Sequence, residues 1–106
     1  MFFKNTSETI AFGKDFVSNL EPQSIVILKG PIGAGKTSFV QGIGQGLRIK
    51  ESITSPTFSL SNHYGSGSMY LIHMDLYRID SSLSARELFI EEEEELEINN
   101  GLLIIE

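Results

Sequence analysis

Between residues 6 and 20 the apolar side chains Ile10, Ala11, Phe16, Val17 and Leu20 recur at helical spacing. Thr6 or Ser7 is placed to cap the start of this helix, and Glu21-Pro22 closes it. The next run has a different pattern. Ser24-Ile25-Val26-Ile27-Leu28 is nearly all apolar and rich in β-branched side chains, which predicts a strand covered on both faces, as inside a parallel sheet. A glycine-rich stretch separates it from a second helix predicted from about Gly35 to Leu47. Residues 57 to 64 and 69 to 75 read as two strands around Gly65-Ser66-Gly67-Ser68, a turn with two positions tolerant of positive φ, so an antiparallel hairpin is expected. Ser84 to Glu97 is helical in propensity and Asn100-Gly101 ends it. Leu102-Leu103-Ile104-Ile105 then reads as another buried strand. The alternation of helices and strands predicts an α/β fold, and no stretch repeats another.

The glycine-rich stretch carries the chemistry. Gly30-Pro31-Ile32-Gly33-Ala34-Gly35-Lys36-Thr37 fits G-x-x-x-x-G-K-[ST] and lies between an apolar strand and a helix, where a phosphate-binding loop has to lie. Gly33 and Gly35 let the backbone curl until several N–H groups face one concavity, and the helix that follows adds its positive end to the same spot. Pro31, Ile32, Gly33, Ala34, Gly35, Lys36, Thr37 and Ser38 would then surround a polyphosphate, Pro31 and Ile32 contributing backbone more than side chain. The Lys36 ammonium would reach the β and γ oxygens, and the Thr37 hydroxyl would ligate Mg²⁺. The plainer alternative is a glycine-rich surface turn before an ordinary helix, which requires the full pattern and both flanks to coincide by chance. The expected fold is a P-loop NTPase-like three-layer sandwich with a mixed, mostly parallel sheet and one antiparallel hairpin.

A nucleotide held in this way needs a carboxylate for its metal, directly or through water, at the end of a neighbouring apolar strand. Two acids fit. Asp75 ends Tyr70-Leu71-Ile72-His73-Met74-Asp75, and Glu106 ends Leu102-Leu103-Ile104-Ile105-Glu106. For each the alternative is a surface acid at a strand end.

Composition narrows the partners. At 106 residues and 41% hydrophobic, the chain is expected to form a single P-loop nucleotide-binding domain, residues 1–106, with a modest core. Eight Lys plus Arg against 14 Asp plus Glu give a net charge of -6, which repels a phosphate backbone and argues against a stand-alone nucleic-acid binder. Cysteine is absent, so there is no disulfide framework and no thiolate metal site, as expected of an intracellular chain. No run approaches the ~20 apolar residues of a membrane span. A soluble, cytoplasmic protein without a membrane partner is the expectation.

Four segments together point further. Gly33-Ala34-Gly35-Lys36-Thr37, Ser55-Pro56-Thr57-Phe58, His73-Met74-Asp75-Leu76-Tyr77-Arg78 and Ile105-Glu106, in this order and at these spacings, resemble the bacterial TsaE (YjeE) family over essentially the whole chain. The resemblance implies the ATPase component of the machinery that makes threonylcarbamoyladenosine in tRNAs reading codons that begin with A. It implies Mg²⁺ and ATP or ADP as ligands, weak hydrolysis alone, activation by the TsaB and TsaD proteins, and only indirect contact with tRNA. Carried over to this chain, Lys36 and Thr37 bind the phosphates and Mg²⁺, and Asp75 and Glu106 are the acidic residues that hold the metal or position water. Thr57 would lie in a switch-like loop near the γ-phosphate, and Thr9 near the nucleotide base. For Thr9 the alternative is an exposed residue in the first turn of a helix. Ser55-Pro56 also has a local rationale, since proline restricts the residue before it and fixes its own φ, although the start of a strand would read the same way.

The chain departs from that family at its end. Most relatives continue past Glu106 with a tryptophan and further strands, so this chain reads as C-terminally truncated. The expected consequences are an exposed sheet edge, low stability or association with another copy, and a Glu106 that carries its own α-carboxylate.

Other features have simpler readings. Glu91 to Glu95, with Glu97, is expected to be a solvated helix, the alternative being a surface for a basic partner. His73 is expected to be packed or hydrogen-bonded rather than a general base, and His63 carries no signal. Tyr77 and Arg78 could anchor the hairpin's end or face a partner, and Arg78 could also contact the γ-phosphate. Gly42-Ile43-Gly44-Gln45-Gly46 imitates part of a dinucleotide fingerprint but follows no strand, so it reads as a helix end or a close helix contact. A small-molecule kinase would share the loop but needs a basic lid, and only Arg48, Arg78 and Arg86 are present. A GTPase switch needs a segment such as N-K-x-D, which Asn99-Asn100-Gly101 is not. A nucleotide-dependent binding module with negligible hydrolysis remains the other alternative.

Overall fold

The computed structural model describes residues 6–28, 34–54, 61–75 and 82–106. Its elements in chain order are α1 (Thr6–Val17), β1 (Ser24–Ile27), α2 (Ala34–Gly46), β2 (Ser61–Tyr64), β3 (Leu71–Met74), α3 (Ser82–Asn99) and β4 (Leu102–Ile105). The four strands form one sheet in the order β1-β4-β3-β2. β4 runs parallel to both neighbours, with Ile27 opposite Ile105 and Ile105 opposite Met74, while β2 and β3 make the expected antiparallel hairpin. The part of its first strand expected at 57 to 60 lies outside the described residues.

Strand pleating divides the side chains between two cores. Leu71, Leu102 and Ile104 face α1 and α2, where they meet Val17, Phe39, Val40, Ile43 and Leu47. Ile72, Met74, Leu103 and Ile105 face the other way, onto Leu96 with Leu88 and Phe89 of α3. The layers are therefore helices, sheet, helix, as expected from the sequence. Phe12, Phe16 and Phe39 stack between α1 and α2, with ring centroids 5.4 to 6.0 Å apart.

The two helices approach through glycine. A Cβ on Gly42 would stand 2.1 Å from the carbonyl oxygen of Ile10, and one on Gly13 would stand 2.3 Å from that of Phe39. Within the Gly42 to Gly46 cluster, Gly42 is thus a close helix contact that only a residue without a side chain permits.

Helix ends follow local chemistry. α1 stops at Val17 rather than near Leu20, and Ser18, Asn19 and Leu20 instead bond three residues back in a tightened turn. After α3, Asn100 takes a positive φ of 51°, its N–H bonds to Glu97 O, and the Gly101 N–H reaches Leu96 O. This is the paired 5→2 and 6→1 closure that ends a helix, with asparagine in the left-handed position. Arg48 closes α2 in the same way at φ 61°.

One expectation for the sheet fails. β1 is not covered on both faces, since Ile25 is 40% and Ile27 60% exposed. Both project on the side of α3, level with Leu103 and Ile105, but β1 is an edge strand and α3 packs over β3 and β4. Among the described residues nothing shields them.

Candidate functional site

Three parallel strands end at one edge of the sheet. β1 runs toward the glycine-rich loop, Glu106 follows β4, and Asp75 follows β3. The Leu28 N–H bonds to Ile105 O and the Glu106 N–H to Met74 O, so Leu28, Glu106 and Asp75 lie side by side just beyond the strand ends. At about 4.8 Å between strands, Glu106 stands one strand from the loop's own strand and Asp75 stands two. Ligands of open α/β sheets bind at this carboxyl edge.

Pleating also selects the face. Leu71 and His73 alternate with Ile72 and Met74, and Leu102 and Ile104 with Leu103 and Ile105. Continuing each series puts Asp75 and Glu106 on the side of α1 and α2. Lys36 and Thr37 sit half-buried in the first turn of α2, and Ser38 is buried beside them. No acidic side chain stands in that first turn, so nothing on the helix itself offsets its positive end. Both carboxylates thus lie on the face and at the edge where this helix begins.

The donors suit Mg²⁺. A threonine hydroxyl and two carboxylates are hard oxygen ligands, and Mg²⁺ takes one or two carboxylates together with phosphate oxygens and water. Among the described residues no cluster of three or more His, Cys, Asp or Glu could hold a metal on its own. Such a donor set fits a metal that arrives with a phosphate ligand and does not fit an all-protein cage.

Glu106 has a partner that was not expected of it. Its Oε2 meets the His73 Nε2, and the His73 ring is fully buried. The expectation that His73 is hydrogen-bonded rather than a free base agrees with this contact. Thr9 is buried, 7% exposed, one turn before Gly13 on α1, and is not the surface residue that the alternative reading supposed. Ala34 and Gly35 open α2. Pro31, Ile32 and Gly33 of the loop, Thr57 with its Ser55-Pro56 approach, and Tyr77 and Arg78 lie outside the described residues.

A second polar cluster joins the hairpin to α3. His63 on β2 holds Glu92 through Nε2 at 2.5 Å and the Tyr70 hydroxyl through Nδ1 at 2.7 Å, and the Ser61 hydroxyl donates to Glu92 at 3.4 Å. Burial, with Glu95 and Glu92 nearby, pushes the Tyr70 phenol above its ordinary pKa. The glutamate run is therefore not uniformly solvated, because Glu92 is only 6% exposed while Glu91, Glu93 and Glu94 face water. His63 gave no sign of this in the sequence. The available signal was period-two alternation, which places Ser61 and His63 on the α3 face of the hairpin.

Known proteins resemble this chain. The family model for threonylcarbamoyl adenosine biosynthesis protein TsaE matches residues 3–106. The tRNA threonylcarbamoyladenosine biosynthesis protein TsaE of Synechocystis sp. is 44% identical over 80 residues, which is 76% of this chain and 51% of that protein. Its counterpart in Rickettsia typhi is 41% identical over 100 residues, 93% of this chain and 67% of that protein. The crystal structure of YdiB from Bacillus subtilis superposes with a TM-score of 0.68 at 30% identity, covering 97% of this chain and 60% of that one. The chain spans about half the length of the Synechocystis relative. No helix among the described residues is long and apolar enough to cross a membrane.

Proposed function

Since this chain belongs to the TsaE family, we propose that it binds Mg·ATP at the carboxyl edge of its sheet and hydrolyses it slowly, in service of threonylcarbamoyladenosine formation in tRNA. One observation carries the reading. The helix that follows the G-x-x-x-x-G-K-[ST] sequence begins at the edge where Asp75 and Glu106 end two adjacent parallel strands. Each part has a task in phosphoryl transfer to water. The loop amides and the Lys36 ammonium stabilise the charge that develops on the transferring oxygens. Glu106 and Asp75 accept hydrogen bonds from the attacking water or from waters around the metal. Thr57 would respond to the γ-phosphate and couple hydrolysis to affinity for a partner. Thr37, with Asp75 and Glu106, would hold Mg²⁺, which would supply positive charge against the phosphate oxygens.

The products are ADP and phosphate. The net charge of -6 supports protein partners over direct tRNA contact, in line with a role beside the TsaB and TsaD proteins, which would raise a weak intrinsic rate in the cytoplasm. Calorimetric titration with ATP, ADP and GTP, with and without Mg²⁺, tests the binding. Lys36→Ala removes a charge-assisted contact worth ~1.5–3 kcal/mol, so ATP affinity should fall roughly 10- to 100-fold. Unchanged affinity would remove the loop from the reading. Tight ATP binding with no turnover, even with partners present, would favour a nucleotide-dependent binding module over an ATPase.

A further inference from the structure

Among the described residues, His73 Nδ1 is the buried side-chain nitrogen or oxygen atom that has no hydrogen-bond partner. The ring is 0% exposed, and its other nitrogen, Nε2, contacts Glu106 Oε2. His73 lies opposite Ile104 on the parallel neighbour strand, so Glu106 is the next residue along on the same face. The contact therefore follows from the register of β3 and β4.

The two nitrogens differ in their partners. An ionised carboxylate only accepts, so the proton of this bond belongs to Nε2. A second proton on Nδ1 would be a buried donor without an acceptor, which folded proteins avoid. The ring thus donates to Glu106 through Nε2, and Nδ1 faces no acceptor. It is poorly suited to take a proton from attacking water, because Nε2 already carries one and Nδ1 is enclosed.

We propose that His73 is a positioning residue for Glu106, tying down Oε2 so that Oε1 alone is presented to the nucleotide site. A glutamate side chain has several rotamers and would otherwise sample them at a strand end. The fully buried histidine ring supplies the fixed point that holds one of them. Partners of this kind orient the groups that touch metal or reacting atoms, and their loss typically lowers activity 10- to 100-fold. This role rests on the hydrolysis reading above, whereas the contact itself does not.

Two measurements separate them. In the ¹⁵N-labelled chain without nucleotide or metal, long-range ¹H–¹⁵N spectra should show His73 Nε2 carrying a proton. A ring whose Nε2 carries no proton overturns the proposal. Next, His73→Phe keeps an aromatic ring, somewhat larger, but removes the donor, while His73→Gln keeps an N–H donor of similar reach. His73→Phe should lower kcat for ATP about 10- to 100-fold, with KM within roughly two-fold. His73→Gln should recover most of that rate, which a purely structural role would not explain. Equal rates in the parent and His73→Phe, or His73→Gln no faster than His73→Phe, overturn the proposal. If His73→Phe fails to fold, the Nε2 proton and the His73→Gln rate still decide. Should the parent itself not hydrolyse ATP, the hydrolysis reading falls, and the Nε2 proton alone decides whether His73 holds Glu106.

Discussion

Gly42→Ala and Gly44→Ala put the same methyl group into the same helix two residues apart, and the structure predicts opposite outcomes. In an isolated helix either change should stabilise by ~1 kcal/mol, because glycine is the poorer helix former by about that amount. The new Cβ at position 42 would lie 2.1 Å from the Ile10 carbonyl oxygen, 2.9 Å from its carbonyl carbon and 3.0 Å from its Cα. All three are backbone atoms of α1. The first is about 1 Å inside ordinary van der Waals approach, so α1 must be displaced as a unit, together with the phenylalanine cluster it shares with α2. Overpacking of this kind costs ~1–3 kcal/mol beyond the propensity gain when the backbone must give. The Cβ at position 44 would also meet an atom at 2.1 Å, but that atom is Ile53 Cδ1, the end of a side chain that can change rotamer. We expect Gly42→Ala to be destabilised by ~1–3 kcal/mol, lowering the melting temperature by roughly 4–8 °C per kcal/mol. Gly44→Ala should lie within about 0.5 kcal/mol of the parent, or above it. Urea titrations read by midpoint at constant slope measure both. Equal midpoints for the two variants, or a Gly42→Ala variant more stable than the parent, would mean that α1 and α2 do not meet through glycine backbone.

Glu92→Ala should destabilise the fold by ~1–3 kcal/mol, because it leaves the His63 ring without its carboxylate. In a double-mutant cycle with His63→Ala the two losses should overlap, and strictly additive losses would show that the contact contributes nothing. Tyr70 gives a pH dependence. Its phenol is raised in the fold, so the unfolded chain ionises first, and stability should fall as the pH climbs past about 10. In Tyr70→Phe that alkaline slope should flatten in denaturation curves, while stability near neutrality drops by ~1 kcal/mol for the lost bond to His63. Asp75→Ala should reduce the gain in nucleotide affinity that Mg²⁺ provides and leave the melting temperature close to the parent's, and a variant that merely unfolds would make Asp75 structural.

What is local in the chain was legible. The α2 and hairpin expectations hold, and the glutamate-rich helix forms, running from Ser82 to Asn99, longer at both ends than its propensity alone suggested. What depends on a neighbour far along the chain was not. Ser24 to Leu28 and Leu102 to Ile105 are spelled almost alike, yet one lies at the sheet edge with two isoleucines in water and the other lies in the middle with every residue buried. Strand order and the position of α3 make that difference, and β propensity does not encode either. The same holds for Glu92. Consecutive glutamates look equivalent, and only the fold brings a histidine from 29 positions earlier against one of them.

The two acids carry this further. Each was recognisable because an apolar run ended in a carboxylate, and parallel pairing then obliges both to appear at one edge of the sheet and, by their spacing, on one face. The sequence assigned Asp75 and Glu106 the same role, as metal or water-positioning residues. Sheet order ranks them differently, because β4 lies between the loop's strand and β3. Glu106 is thus the acid nearest the strand that leads into the phosphate-binding sequence, and its side chain is the one with a fixed histidine behind it. Asp75 stands one strand further out and follows His73 by two residues, so a single short segment of β3 supplies both an acid of its own and the support for its neighbour's. The spacing of His73 and Asp75 then has a physical reason, since residues two apart on a strand share a face, and only from that face does the ring reach Glu106.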